Sequence, residues 1–156
     1  ITVKEERTHI ESYLEIQQFR YQDILDYEIQ MDEEIYGYII PKLTLQPLVE
    51  NALYHGIKNK RGKGKILITG KKQGDKIIFQ VIDNGKGMTE EELNRLRKKM
   101  AGTDTGDEAK GFGVSNVNQR IKYYYGEEYG VFFESKENEG TNATIIIAAK
   151  NIQLPS

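Results

Sequence analysis

Pro47-Leu48-Val49-Glu50-Asn51-Ala52-Leu53-Tyr54-His55-Gly56 reads as an amphipathic helix. With Leu45, the apolar residues Leu48, Val49, Ala52 and Leu53 recur at i, i+3, i+4, i+7 and i+8, which makes one face turned to a core. Glu50, Asn51, Tyr54 and His55 fall off that face. Asn51 and His55 are one turn apart, as are Glu50 and Tyr54, so each pair are neighbours on the surface. Gly56 is expected to stop the helix. A carboxylate, an amide oxygen and an imidazole along the edge of a buried helix suit a cation and a phosphate. Taken alone, the helix reads more plainly as a solvated polar edge.

Working outward, Thr2 and Glu5 spell a capping box, and a helix is expected from there to about Tyr21. Ile10, Tyr13, Leu14 and Tyr21 form one stripe. Ile16 and Phe19 lie outside it and face either their own domain or a segment upstream of this chain. Residues 24–31 alternate, with Leu25, Tyr27, Ile29 and Met31 on one side, as in a half-buried strand. After the central helix, residues 58–65 are basic and broken by glycine, which reads as a solvated loop. Residues 66–69 and 76–83 read as strands joined by a loop longer than two residues. Thr89 and Glu92 form a second capping box, and that helix ends in Arg95, Arg97, Lys98 and Lys99. Residues 101–110 have no periodicity and are rich in Gly, Thr and Asp, as expected of a mobile loop. A helix from Gly113 to about Tyr125 and strands at 131–135 and 141–149 complete the chain. About five strands and four helices, partly antiparallel, predict an α+β, two-layer sandwich: one mixed sheet with helices over one face.

Composition narrows the function. The 156 residues carry 22 Lys and Arg against 24 Asp and Glu, a formal charge of -2, which gives no general attraction to nucleic acid or anionic membrane. Without cysteine there is no disulfide frame and no thiolate metal site. No apolar run approaches the length of a membrane span. The chain opens on Ile1 rather than Met, so it is expected to be a piece of a longer protein.

Three further polar and glycine-rich stations stand at element ends. Asp83-Asn84-Gly85-Lys86-Gly87-Met88 follows the 76–82 strand. Asn-Gly is a strong hairpin signal, but a capped helix follows here instead of a strand. An acid at a strand end can accept a hydrogen bond from an exocyclic amine, and the glycines let backbone approach a flat ring. Gly111-Phe112-Gly113-Val114-Ser115-Asn116 is a glycine-rich loop opening a helix, where free amides favour a phosphate. Gly140-Thr141 is the last station, and by itself could be no more than a hairpin end. A P-loop, a dinucleotide fingerprint and the marks of eukaryotic-type kinases are all missing. Of the two histidines, His9 reads as a partly exposed helical residue.

The stretch from Leu45 to Ala52 with His55-Gly56 resembles the N box of the ATPase superfamily that joins gyrase B, the heat-shock protein 90 chaperones, histidine kinases and MutL. Asp83-Asn84-Gly85-Lys86-Gly87-Met88 resembles its G1 box, Gly111-Phe112-Gly113 with Asn116 and Arg120 its G2 box, and Gly140-Thr141 its final glycine box. All four stand in the family order. With Tyr13-Leu14-Glu15-Ile16 and Phe19-Arg20 upstream, the wording resembles bacterial sensor histidine kinases of the autolysis- and carbohydrate-sensing type.

The resemblance implies a two-layer Bergerat fold binding ATP and Mg²⁺. Asn51 would ligate the metal, and Glu50 would orient or deprotonate the attacking group. Asp83 would bind the adenine amine, with Thr141 beside it and Gly85, Gly87 and Met88 lining the pocket. His55, Tyr54 and Lys58 would lie near ribose or phosphates. Residues 101–110 would be a lid, with Lys110 as a charge partner and Gly111, Gly113 and Val114 offering amides to phosphates.

Residues 1–22 would link to an upstream dimerising segment carrying the phospho-accepting histidine, and 23–156 would be the catalytic domain. Neither His9 nor His55 fits that acceptor. Implied partners are that segment, a response regulator and a second copy of the whole protein, with no nucleic acid. The setting would be the cytoplasmic side of a membrane-anchored receptor. The sequence departs from many histidine kinases in lacking a third glycine in the G2 box and a clear phenylalanine box. An autonomous ATPase, a serine-directed kinase of the same superfamily and a non-catalytic nucleotide switch are the alternatives.

Overall fold

The structure is a computed structural model that describes residues 1–21, 24–57, 63–101 and 112–153. Helix α1 spans Val3–Arg20 and starts on the expected capping box, with Glu5 N–H donating to Thr2 Oγ1 and Thr2 N–H to Glu5. Its buried face is Val3, Glu6, Ile10, Leu14 and Gln17, so two polar residues point inward beside three apolar ones. Ile16 and Phe19 are exposed, and so is His9.

Strand β1 (Leu25–Met31) pairs in parallel with β2 (Gly64–Gln73), and the chain between them crosses over through a short 3₁₀ turn and helix α2 (Gln46–Asn51). A parallel pair requires such a crossover. β2 then pairs antiparallel with β3 (Lys76–Asp83), β3 with β5 (Gly140–Ala148), and β5 with β4 (Gly130–Lys136), giving the order β1-β2-β3-β5-β4.

The β2–β3 connection differs from the expected long loop. Strand pairing continues to Gln73 opposite Lys76, leaving a two-residue turn of Gly74 and Asp75. Gly74 holds φ +64° while Asp75 does not take a positive φ. Glycine at the first central position is what a tight turn matched to strand twist favours. Lys71, Lys72 and Gln73 look like loop in sequence because the hairpin arm stands in solvent.

Alternation decides which face is covered. Ile66 and Ile68 of β2, Ile77, Phe79 and Val81 of β3, Ala143, Ile145 and Ile147 of β5, and Val131 and Phe133 of β4 are buried. Against them lie the apolar faces of α2, α3 (Glu90–Met100) and α4 (Phe112–Tyr125). Phe79 is fully buried, and truncating such a phenylalanine to Ala costs about 3–5 kcal/mol. On the opposite face Leu67, Ile78, Gln80, Ile82, Thr144 and Ile146 stay part-exposed, so the helices cover one side of the sheet, as in an α+β two-layer sandwich.

α3 keeps its capping box, Thr89 with Glu92, and closes on Arg97, Lys98 and Lys99, so both ends complement the peptide dipoles. Asn118, buried in α4, donates to the Met100 carbonyl and accepts from Val131 N–H, tying α3, α4 and β4 together. Among the described residues no helix is long and apolar enough to cross a membrane.

Candidate functional site

The predicted apolar face of α2 is buried throughout: Leu45, Leu48, Val49, Ala52 and Leu53. Glu50 and Asn51 are partly exposed on its edge, and Tyr54 and His55 are open to solvent. Gly56 does not stop the helix. The α-helix widens after Asn51 into a π-helical turn, Ala52–Ile57, and Gly56 is buried within it. Such turns occur frequently at functional sites. The reason for glycine lies across the fold: a Cβ on residue 56 would stand 2.7 Å from Asp83 Oδ1 and 2.9 Å from its Cγ.

Asp83 ends β3 with its carboxylate buried, and Oδ1 accepts the Gly85 N–H at 2.9 Å. The next residues fold back onto the π turn. Gly85 lies with its Cα against the Gly56 backbone, and Lys86 N–H donates to the Gly56 carbonyl at 3.3 Å. Gly87, at φ +67°, faces the Lys136 carbonyl, and Gly140, at φ +120°, faces the Asp83 carbonyl. Glycine is therefore required at these positions by packing of the chain on itself.

Ser135, which the sequence reading passed over, organises this corner. Its Oγ accepts from Met88 N–H at 2.8 Å, donates to the Gly140 carbonyl at 2.9 Å, and lies 2.8 Å from Thr141 Oγ1. A hydroxyl has one proton. With that of Ser135 given to Gly140, Thr141 is the donor between the two and keeps its lone pairs. Thr141 stands opposite Asp83 in the β3–β5 register. Three of the four stations thus meet at one corner. Asn51 precedes Gly56 by five residues, at the point where α2 passes into the π turn.

The fourth station joins through α2. Gly113, in the first turn of α4, is exposed, and a Cβ there would lie 3.5 Å from the Pro47 Cβ, while Val114 turns its side chain into the core. Asn116 and Arg120 continue the groove between Pro47 and α4. Arg120 donates to the carbonyls of Lys42 and Leu43, at 2.7 and 2.8 Å. Lys58, Lys110, Gly111 and the expected lid lie outside the described residues.

Tyr13 connects α1 to this helix, another contact the sequence reading did not assign. Its phenol pKa is raised, first by burial, then by the Tyr54 hydroxyl, and after that by the charge of Glu50. No cluster of three or more His, Asp or Glu side chains suited to a metal occurs among the described residues. Asn51, part-exposed on the helix edge, carries an amide oxygen that would serve as one metal ligand. A single hard oxygen suits Mg²⁺, which keeps several waters and is otherwise held by substrate phosphates.

A mixed five-stranded sheet, helices on one side, and polar and glycine-bearing element ends gathered at one corner make the layout of a nucleotide-handling α+β sandwich. Residues 41–151 match the family described as histidine kinase-, DNA gyrase B-, and HSP90-like ATPase, and the chain belongs to it. Sensor histidine kinase YesM of Bacillus subtilis is 33% identical over 151 residues, covering 97% of this chain and 24% of YesM. Sensor protein LytS of Staphylococcus saprophyticus is 29% identical over 153 residues, covering 98% of this chain and 25% of LytS. The chain thus spans about a quarter of the length of these relatives. The nucleotide-free catalytic domain of histidine kinase ThkA superposes with a TM-score of 0.69 at 18% identity, over 97% of this chain and 96% of that one, which is a likeness of fold. ThkA has also been solved in complex with the response regulator protein TrrA.

Proposed function

We propose that this chain is the catalytic, ATP-binding domain of a sensor histidine kinase. The observation that supports it most is the meeting of Asp83 with Gly56, five residues along one helical element from Asn51. In this reading Asp83 accepts a hydrogen bond from the adenine amine, and Thr141 assists directly or through water. Gly85, Gly87 and Met88 line the adenine end. The Asn51 oxygen holds Mg²⁺, which would neutralise charge on the triphosphate. Glu50 orients or deprotonates the attacking imidazole. Tyr54, His55, Lys58 and Lys110 lie toward ribose and phosphates, with the amides of Gly111, Gly113 and Val114.

The γ-phosphorus gains a bond to a histidine nitrogen outside this chain and loses its bond to the bridging oxygen, which leaves with ADP. Little covalent chemistry is asked of the protein; placement and charge neutralisation supply the rate. The relatives are sensor kinases, and on that likeness the acceptor histidine sits on an upstream helical segment of a homodimer. A response regulator would receive the phosphoryl group. The domain would lie on the cytoplasmic side of a membrane-anchored receptor. Exposed Ile16 and Phe19 on α1 would face the upstream segment.

The test mixes this chain with the parent's upstream helical segment, Mg²⁺ and ATP labelled at the γ-phosphate. Acid-labile label on a histidine of that segment is the expected result. Steady phosphate release by this chain alone, with no labelled segment, would make it an autonomous ATPase, and binding without either would make it a switch.

A further inference from the structure

Helix α2 has no capping side chain of its own. Its N-cap residue is Leu45, with helical backbone angles, and Pro47 in its first turn brings no N–H. The lead-in is held instead from α1, thirty-eight residues earlier in the chain. Glu6 is fully buried, and its Oε2 accepts the backbone N–H of Thr44 at 2.7 Å and of Leu45 at 2.9 Å. Its other oxygen has no hydrogen-bond partner among the described residues. From the opposite side Arg120 of α4 grips the carbonyls of Lys42 and Leu43. Between the two clamps Leu43 is held at φ +59°, a left-handed conformation that a leucine keeps only where its surroundings over-determine it. Seven residues beyond Glu6 on the same helix, the half-buried Tyr13 stands near Tyr54 of the π turn.

Helix α1 therefore meets the start of α2 through a buried carboxylate. Burying a carboxylate is costly unless hydrogen bonds offset it, so a merely convenient residue would not sit there. We propose that Glu6 is a positioning residue for phosphoryl transfer: its carboxylate fixes the start of α2 and thereby the placement of Glu50 and Asn51. This rests on the kinase reading above. It makes α1 the element through which a movement upstream would reach the phosphate end of the site, while the adenine end, built on β3 and β5, is left alone.

The test uses the full-length protein that carries this chain, with E6Q, E6A and, as reference, N51A. Three quantities are measured: nucleotide-binding stoichiometry, apparent KM, and the initial rate of acid-labile labelling per bound nucleotide at saturating Mg-ATP. E6A is expected to lower the rate per bound nucleotide by about ten- to hundredfold with KM changed less than about threefold. E6Q keeps the shape but not the charge, and a charge-assisted hydrogen bond is roughly twice as strong as a neutral one, so its rate should fall in between. A purely structural role would lower the number of binding sites and leave the rate per site unchanged. That result, or E6Q at the wild-type rate per site, would overturn the proposal. Should E6A not fold, E6Q decides by itself. Undiminished transfer by N51A would instead overturn the kinase reading, whatever Glu6 does.

Discussion

The Asp83 carboxylate rests on the Cα of Gly56, so closely that a methyl group there would stand 2.7 Å from Oδ1. The contact joins the end of a central strand to the π turn after Asn51. Backbone lies on the other side of Gly56, with Gly85 against it, so an added methyl can be accommodated only by moving Asp83 or the turn. Gly56→Ala is expected to keep the fold but weaken nucleotide binding at least about tenfold, equivalent to roughly 1.4 kcal/mol. Calorimetric titration with ADP, beside a thermal melt, checks it. Wild-type affinity would mean that Asp83 is not at the nucleotide.

Asp83→Asn isolates the charge. The amide oxygen can still accept from Gly85 N–H, now made at 2.9 Å, so the turn should survive. What the proposed reading loses is a carboxylate acceptor for the adenine amine, and hydrogen bonds to charged groups contribute about 1.5–3 kcal/mol. ATP and ADP affinity should fall together by about ten- to hundredfold, because the adenine end is common to both. Equal affinity in wild type and variant would remove the adenine assignment.

In the proposed reading Asn51 acts at the other end of the ligand. Asn51→Ala removes the hard oxygen proposed for Mg²⁺, and Asn51→Asp keeps an oxygen but adds a charge beside a triphosphate. Both should abolish Mg²⁺-dependent transfer while sparing ADP binding measured without metal. The residue is partly exposed on its helix edge, so stability should change by no more than about 0.5 kcal/mol. Transfer at the wild-type rate in either variant would discard the metal role.

Stability should fall at acid pH through the two helix caps and one strand carboxylate. Glu92 has its pKa lowered below the ordinary 4.5, first by hydrogen bonding with the Thr89 backbone, then with the Thr89 hydroxyl. Glu5 is lowered by its Thr2 side-chain and backbone bonds, and Glu28 by Gln30, then Lys65. A carboxylate with a depressed folded pKa contributes fully above 4.5 and loses that contribution as pH drops through the folded value. Glu92→Gln should therefore be less stable than wild type at pH 7, by roughly 0.3–0.5 kcal/mol for an exposed helix end. The difference should shrink as pH falls below 4.5 and through the lowered folded value, as read in thermal melts. A difference that persists unchanged across that range would show that charge is not involved.

Much of this fold can be read from local signals. The capping boxes at Thr2 and Thr89 and the apolar face from Leu45 to Leu53 place α1, α2 and α3, because each depends on residues within a turn or two. What escaped the reading depends on distant partners. A glycine after a helix looks the same whether it stops the helix or admits a carboxylate, and only Asp83 tells them apart at Gly56. Glu6 looks like an ordinary acid of a first turn until Thr44 and Leu45 arrive beside it. Ser135 is one polar residue in an exposed-looking strand end, yet it bonds Met88, Gly140 and Thr141. Lys71 to Gln73 read as loop in the sequence because polarity masks a strand once it leaves the core.

The outer side of α1 offers the last prediction. Ile16 is 65% and Phe19 78% exposed, while Ile10, Leu14 and Gln17 hold the same helix to the domain. Side chains this open contribute little to folding, so Ile16→Ser with Phe19→Ser should leave the stability of this chain within about 0.5 kcal/mol. If they seat the upstream segment, the pair should lower labelling in the full-length protein several-fold without altering ADP affinity. The two measurements separate the cases. A large drop in the melting temperature of the isolated chain would make both residues part of its own core. Unchanged stability with unchanged labelling would leave the upstream segment to be held elsewhere on the surface.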